Sequence, residues 1–553
     1  MNLGRIPAKT ALLNPDKEAL IDIPNNRRIT FGELDERIRR LANGLCAELG
    51  LSKGDRVAIL SKNCIQYMEI FYACARSGLI AQPLNWRLNE PEMTRILSDG
   101  EPSVLIGSAE YDEQTQRLGT DQNIPSALVF SADPSCRYEQ LIANASDSEP
   151  ANAADISGDD PVLILYTGGT TGESKGALHS HHSLYMGMLN QSIAERIVPT
   201  DVYMLTGQMF HIPVALAMNY MAHGCPVVLI NFDAKLALDV IQKERVSAFL
   251  GITTMINWMM AVEGFEDYDL SSLRNFQYGG GPMPRTVVEA ALQAFPCTMI
   301  QGYGQTEGMT MSFLSQEDHE RAVTGDHPER LSSCGREGFV SEIRIVAANG
   351  DSVPRDGSSA GEIIVRSEAN MLGYWRRPEL TERTLRDGWM WTGDIATWDE
   401  EGYVFIVDRA KDMIISGGEN IYSTQVEAAI HQHPAVLESA VFGVPDDVWG
   451  EAVKAVVVLK PGQTATEGEI IAEASKHLAS YQKPKSVDFV DALPKAPTGK
   501  ILKRELRDPT GKTRRAKYDR LTHRGDFVLH RQTERSPTGN RHAARHTKIC
   551  HCH

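Results

Sequence analysis

Val162-Leu163-Ile164-Leu165-Tyr166, followed by Thr167-Gly168-Gly169-Thr170-Thr171-Gly172-Glu173-Ser174-Lys175-Gly176, is the stretch on which the reading of this chain turns. An unbroken apolar run bounded by glycines predicts a buried strand. Glycines, hydroxyls and a lysine directly after it are what a phosphate cradle needs: backbone N–H groups approach the anion closely, hydroxyls donate, and the ammonium neutralises. No G-x-x-x-x-G-K-[ST] spacing can be laid on the segment, which disfavours an ordinary P-loop NTPase. Residues 172–176 and 357–361 both fit G-x-S-x-G formally. A nucleophile elbow needs its serine on a tight turn from strand to helix, and neither context offers one.

Outward from this stretch, short β-rich runs alternate with helical patterns, as in 56–61 before 65–77 and 226–230 before 234–244. That alternation predicts an α/β protein with largely parallel sheets. From about residue 341 the texture becomes close-spaced strands at 342–347, 361–367 and 403–407, separated by Asn349-Gly350, Asp356-Gly357 and Glu401-Gly402. These predict a small antiparallel, β-barrel-like unit closing a large N-terminal domain of mixed and parallel sheets, residues 1–408. Residues 409–508 carry their own strand and helix pattern and are expected to form a smaller α+β domain. Residues 509–553 hold 11 Lys+Arg against 3 Asp+Glu and little apolar periodicity, the signature of a basic, disordered tail.

The 553 residues sum to a net charge of −16, which divides into −24 for residues 1–508 and +8 for the tail. This acidity argues against a nucleic-acid-coating protein, so no nucleic-acid partner is expected. Nine scattered cysteines offer no paired framework, and no apolar leader is visible near the N-terminus, so a reducing, cytoplasmic location is expected. The most apolar long stretch, 214–230, is interrupted by Asn219, His223, Gly224 and Pro226. It is read as a buried helix running into a strand, with no integral membrane segment. A homodimer is left open.

The loop 166–176 resembles the phosphate-binding signature of the adenylate-forming superfamily of acyl-CoA synthetases, luciferases and adenylation domains. Further matches follow in that family's order: Phe210-His211, Tyr278-Gly279-Gly280-Gly281-Pro282, Gln301-Gly302-Tyr303-Gly304-Gln305-Thr306-Glu307, Thr392-Gly393-Asp394, Asp408-Arg409 with Lys411-Asp412, Ser416-Gly417-Gly418-Glu419-Asn420, and Pro497-Thr498-Gly499-Lys500. Together they span roughly residues 15–508.

The resemblance implies an AMP-forming acid–thiol ligase using ATP, Mg²⁺ and coenzyme A. Its acid is expected to be a medium- or long-chain fatty acid or an aromatic one. The implied alternative is an adenylation enzyme that loads a carrier-protein phosphopantetheine. By the same resemblance Lys500, His211 and Lys175 are the catalytic candidates and Glu307 the magnesium ligand. Thr167, Gly168, Gly169, Thr170, Thr171 and Gly172 would handle the departing phosphates. Gly279, Gly280, Gly281, Gln301, Gly302, Tyr303, Gly304, Gln305 and Thr306 would line the AMP slot, and Asp394 with Arg409 would hold the ribose. Lys411 would be the hinge about which the mobile C-terminal domain turns. Gly417, Gly418 and Trp449 would border the pantetheine tunnel. The chain departs from the family pattern in four places: Gly168 stands where serine is frequent, Glu173-Ser174 replaces a frequent x-Pro, and Ser423 and Gln425 sit where proline and glutamate are common.

Overall fold

The computed structural model describes residues 1–167, 174–281, 283–416, 419–446, 449–495 and 501–507. The expected tail lies outside them. Residues Met1–Arg507 form one compact unit.

Strands that the sequence writes as continuous apolar runs are covered on both faces. In Arg56–Leu60, Val57 and Ile59 enter one core while Ala58 and Leu60 enter another. In Val227–Leu229, Val227 and Leu229 face the first core and Val228 a third. Side chains alternate along a strand, so a run apolar at every position fits only a strand with something packed on each side.

These strands build two sheets. One has nine strands in the order Arg336–Glu337, Met309–Leu314, Thr298–Gln305, Asn275–Gly279, Ala248–Gly251, Tyr203–Leu205, Val227–Leu229, Glu18–Asp22 and Arg27–Thr30. The run from Thr298–Gln305 to Glu18–Asp22 is parallel throughout, and antiparallel strands close both edges. The other has seven strands: Gly373–Tyr374, Lys175–Ser180, Pro161–Thr167, Ile80–Pro83, Arg56–Leu60, Val104–Ser108 and Ser126–Phe130. Its last five are parallel.

The main core lies between the sheets and takes residues from both, together with the helices Phe31–Ala47 and Ile65–Ser77. Every residue of Ile65–Ser77 is buried, including Glu69 and Arg76. Buried charge needs partners. Glu69 meets the Arg37 guanidinium at 2.6 Å and the Tyr138 hydroxyl at 2.8 Å, and Arg76 meets Asp35 at 2.8 Å and Glu149 at 2.6 Å. Helix Phe31–Ala47 starts at a capping box in which Thr30 and Glu33 satisfy each other's backbone N–H, a device worth about 1 kcal/mol.

The apolar stretch at 214–230 is the helix Pro213–Ala222 and the strand Val227–Leu229, as the sequence predicts. The expected barrel-like unit is a five-stranded antiparallel sheet of Ser341–Val346, Gly361–Ser367, Trp389–Trp398, Leu385–Arg386 and Val404–Arg409. Its core reaches into the nine-stranded sheet through Tyr303 and Met311. Beyond it, Val436–Asp446, Gly450–Leu459 and Ser486–Phe489 form a three-stranded sheet flanked by the helices Ser423–Ile430 and Glu467–Ala474. This part has its own apolar cluster around Ile414, Val441 and Val457. Among the described residues, no helix is long and apolar enough to cross a membrane.

Candidate active site

Strand Pro161–Thr167 is followed by an antiparallel partner, Lys175–Ser180, with Thr167 opposite Lys175. The glycine-rich segment therefore joins two paired strands and does not feed a helix, which removes both the elbow and the P-loop arrangements on structural grounds. Gly168, Gly169, Thr170, Thr171 and Gly172 lie outside the described residues. The register fixes Lys175 at the base of the hairpin, where the Thr167 hydroxyl donates to its carbonyl at 3.4 Å.

The Lys175 ammonium is 3.1 Å from Glu307 Oε1 and 4.1 Å from the centre of the Tyr374 ring. It also donates to the Tyr374 hydroxyl, which in turn donates to Glu307 Oε1 at 2.6 Å. Glu307 is 8% exposed. Burial pushes its carboxyl up, but the Lys175 charge and the Tyr374 hydroxyl outweigh that and hold it below the ordinary carboxylate value, so it is ionised at neutral pH. Next to it, the Thr306 carbonyl accepts from His179 Nε2 at 2.7 Å. Burial lowers the pKa of His179, which leaves a neutral ring as a structural donor.

The same stretch of chain reaches a second carboxylate. Tyr303 OH and Gln305 Nε2 donate to Asp394 Oδ2 at 2.7 and 2.6 Å, and Arg409 Nε lies 2.5 Å from Oδ1. Asp394 sits on Trp389–Trp398 directly opposite Arg409 on Val404–Arg409. The Gly393 N–H just before it is held by Glu362 Oε1 at 2.9 Å. Strand pairing thus sets Asp394 against Arg409, and the side-chain bonds from Tyr303 and Gln305 bring that pair to the end of strand Thr298–Gln305, two residues before Glu307, although the sequence spreads these residues over a hundred positions.

The glycines divide by cause. A Cβ on Gly279 would meet the Gly302 carbonyl at 2.2 Å, and one on Gly304 the Met309 carbonyl at 1.9 Å, so strand packing alone demands both. Gly302 is crowded by Gln277 and Thr310. Gly280, at φ +74°, and Gly281 face open space. These two have room for a flat group. Gln301 is half-buried, and its Oε1 has no partner among the described residues.

His211 Nδ1 accepts from the Ile212 N–H at 2.8 Å, which puts any ring proton on Nε2. Burial lowers its pKa and the Glu307 charge partly offsets this, so the ring is neutral at pH 7. The turn leading to it is tied by Asn63, which donates to the Gly207 carbonyl at 2.7 Å and accepts from Met209 N at 2.9 Å. Trp86 Nε1 donates to Gln208 at 3.0 Å.

Near residue 408, Asp408 Oδ2 accepts from Ser423 N and Asp408 Oδ1 from the Ser423 hydroxyl. Lys503 donates to that hydroxyl at 2.6 Å and pairs with Glu427 at 2.7 Å. Arg507 pairs with Asp412 at 3.0 Å and donates to the Lys411 carbonyl at 3.5 Å. Trp449 is 51% exposed, with Lys485 5.3 Å above its ring, so it is not a core tryptophan. Lys500, Gly417 and Gly418 lie outside the described residues. Sequence reasoning missed Tyr374, Asn63 and Glu362. The only signal for Tyr374 was the triplet Gly373-Tyr374-Trp375 ahead of Pro378.

Residues 8–375 match the sequence family described as AMP-binding enzyme, and residues 425–500 match the AMP-binding enzyme C-terminal domain. The chain belongs to the AMP-binding enzyme family. This AMP-binding enzyme is 36% identical over 511 residues to a feruloyl-CoA synthase of an Amycolatopsis species, covering 91% of this chain and 98% of the relative. It is 33% identical to a fatty acid–acyl-carrier-protein ligase of Streptomyces coeruleorubidus, covering 87% and 92%. The solved fatty acyl CoA synthetase of Mycobacterium tuberculosis superposes with a TM-score of 0.73 at 32% identity, over 92% of this chain and 98% of that one. The superfamily resemblance and the fold class both stand.

Among the described residues of this AMP-binding enzyme, no group of three His, Cys, Asp or Glu side chains could hold a metal. The donor set at Lys175 is one ionised carboxylate. That fits magnesium, which takes one or two carboxylates and fills its remaining positions with water and substrate phosphates.

Proposed function

We propose that the chain is an acid–thiol ligase that joins a carboxylic acid to coenzyme A through an acyl-adenylate. In the first half-reaction a carboxylate oxygen attacks the α-phosphorus of ATP, the bond to the β-phosphate bridging oxygen breaks, and pyrophosphate leaves. In the second, the CoA sulfur attacks the acyl carbon, AMP leaves, and the thiol proton goes to solvent. The reading is carried by one observation: Asp394 with Arg409, and Glu307 with Lys175, stand at the two ends of the short run 303–307. A carboxylate for ribose hydroxyls and a cation for phosphates are thereby spaced along one rigid strand end, as a nucleoside triphosphate requires.

In this reading Lys175 moves from Glu307 to the leaving phosphates, and Glu307 holds magnesium, which neutralises phosphate charge when bound. Asp394 accepts from the ribose hydroxyls, oriented by Tyr303, Gln305 and Arg409. Gly280 and Gly281 leave space for the base. His211, neutral with its proton on Nε2, donates toward the acyl carboxylate. Lys500 supplies positive charge where the carboxylate and α-phosphate meet, and residues 409–508 turn about Lys411 between half-reactions. Trp449, exposed on the smaller part, packs on the pantetheine arm together with Gly417 and Gly418. The enzyme works in the cytoplasm.

The acid is apolar, either aromatic or a medium- or long-chain fatty acid. Supporting this are the feruloyl and fatty-acid relatives and the apolar Phe210 and Ile212 on either side of His211 in the chain, with Trp86 bonded to nearby Gln208. The carrier-protein relative favours a second reading, in which the acceptor is a carrier-bound phosphopantetheine. Turnover should be assayed over hydroxycinnamic acids and C6–C18 fatty acids, with CoA and with a phosphopantetheinylated carrier protein as alternative acceptors. AMP and acyl-CoA in equal amounts support the first reading, and acyl-carrier without acyl-CoA the second. Orthophosphate in place of AMP contradicts both.

A further inference from the structure

We propose that Tyr374 is a positioning residue for the adenylation step, its hydroxyl holding the Glu307 carboxylate in place when Lys175 leaves it for the substrate. The proposal rests on the roles given above to Glu307 and Lys175. Tyr374 is 6% exposed and is delivered by backbone alone. Its strand, Gly373–Tyr374, pairs antiparallel with Lys175–Ser180, with Tyr374 opposite Ala177. Leu372 N donates to the Leu178 carbonyl and Trp375 N to the Gly176 carbonyl, each at 2.8 Å. Met371 N donates to the Glu307 carbonyl at 2.8 Å, and Tyr374 N to the Thr381 hydroxyl at 2.8 Å. Residues 371–375 are therefore a strap fastened on one side to the strand that begins at Lys175 and on the other to Glu307.

The hydroxyl at the strap's centre uses its one proton for Glu307 and a lone pair for Lys175. Packing alone would be met by phenylalanine, and so would the ring face beneath the Lys175 ammonium. What only tyrosine adds is a neutral donor that stays with Glu307 after the cation departs. A buried carboxylate whose ion-pair partner moves away swings out of position unless a second donor holds it.

The test uses Tyr374→Phe in the full chain. Calorimetry measures ATP affinity with and without Mg²⁺, in the absence of acid, beside Glu307→Gln and wild type. Losing one hydrogen bond to a charged group should shrink the magnesium-dependent gain in ATP affinity by about tenfold, while metal-free ATP binding and the thermal midpoint stay near wild type. In turnover, KM for MgATP should rise by a similar factor and kcat change less, with thioester formation from preformed acyl-adenylate unaffected. A full magnesium gain in Tyr374→Phe, while Glu307→Gln loses it, overturns the proposal alone. Equal weakening of both half-reactions, or of ATP binding with and without metal, also overturns it, because that is the mark of a merely structural residue. If wild type shows no magnesium gain, or Glu307→Gln retains it, the reading of Glu307 fails and takes the proposal with it.

Discussion

Glu195 ends the helix His181–Glu195 fully buried, bonded to the Tyr220 hydroxyl and the Gln191 amide, with Arg274 and Asp201 close by. Burial outweighs these partners and pushes its pKa from 4.5 up to about 7. As pH rises between those values the unfolded chain gives up this proton and the folded chain keeps it. Folding stability tied to Glu195 is therefore complete below about pH 4.5 and lost as pH passes 7, a change on the order of 3 kcal/mol. In Glu195→Gln, which cannot ionise, the urea midpoint should fall less between pH 5 and 8 than in wild type. Parallel pH slopes would contradict this. Nothing in the sequence distinguished Glu195 from a surface glutamate at a helix end, because its environment comes from Tyr220 and Arg274, on separate elements. Asp394 and Glu307 could be named from their motifs, but their partners could not, apart from Lys175, Arg409, Gln305 and Tyr303, which lie inside motifs themselves. Tyr374 shows the limit: it lies 199 positions from the lysine it touches, and only strand pairing brings the two together.

At the scale of elements, the run 162–166 and the run 56–60 announced themselves because strands buried on both faces must be apolar at every position. The partner strand Lys175–Ser180 did not, since Lys175, His179 and Ser180 interrupt any alternation. Its place is set by its ladder to Pro161–Thr167 and by the His179 bond to Thr306. The glycines of the motifs 278–282 and 301–307 read alike in sequence, yet they are of two kinds. Gly304→Ala would drive a methyl into the Met309 carbonyl and should destabilise the fold by about 2 kcal/mol or more. Gly281→Ala, with no atom within 4 Å of the added carbon, should leave the melting temperature within about 1 °C and instead raise KM for ATP. Thermal melts and ATP titrations of the two variants separate these effects, and a destabilised Gly281→Ala would contradict the assignment.

For the molecule as a whole, the α/β layering, the antiparallel sheet from 341 and the α+β region after 408 were all legible, because each rests on periodicity and turn residues local in sequence. How the regions meet was not. Ser423, one of the chain's departures from the family pattern, shows why: its N–H and hydroxyl both bond Asp408, and a proline there has neither. Beside these bonds lies Lys411, the proposed hinge. Lys411→Pro should lower thioester formation at least tenfold more than adenylate formation, because a fixed φ blocks rotation but leaves the first arrangement intact. Single-turnover measurement of each half-reaction checks this, and equal losses would place the hinge elsewhere.

In the proposed reaction the chain activates a carboxylate as its adenylate before any thiol takes part. The direct measurement is exchange of labelled pyrophosphate into ATP without CoA, for wild type and Lys500→Ala. The account predicts label in ATP only when an apolar acid and Mg²⁺ are present, falling by about a hundredfold or more in Lys500→Ala. Exchange that needs no acid, or that survives undiminished in Lys500→Ala, would contradict it.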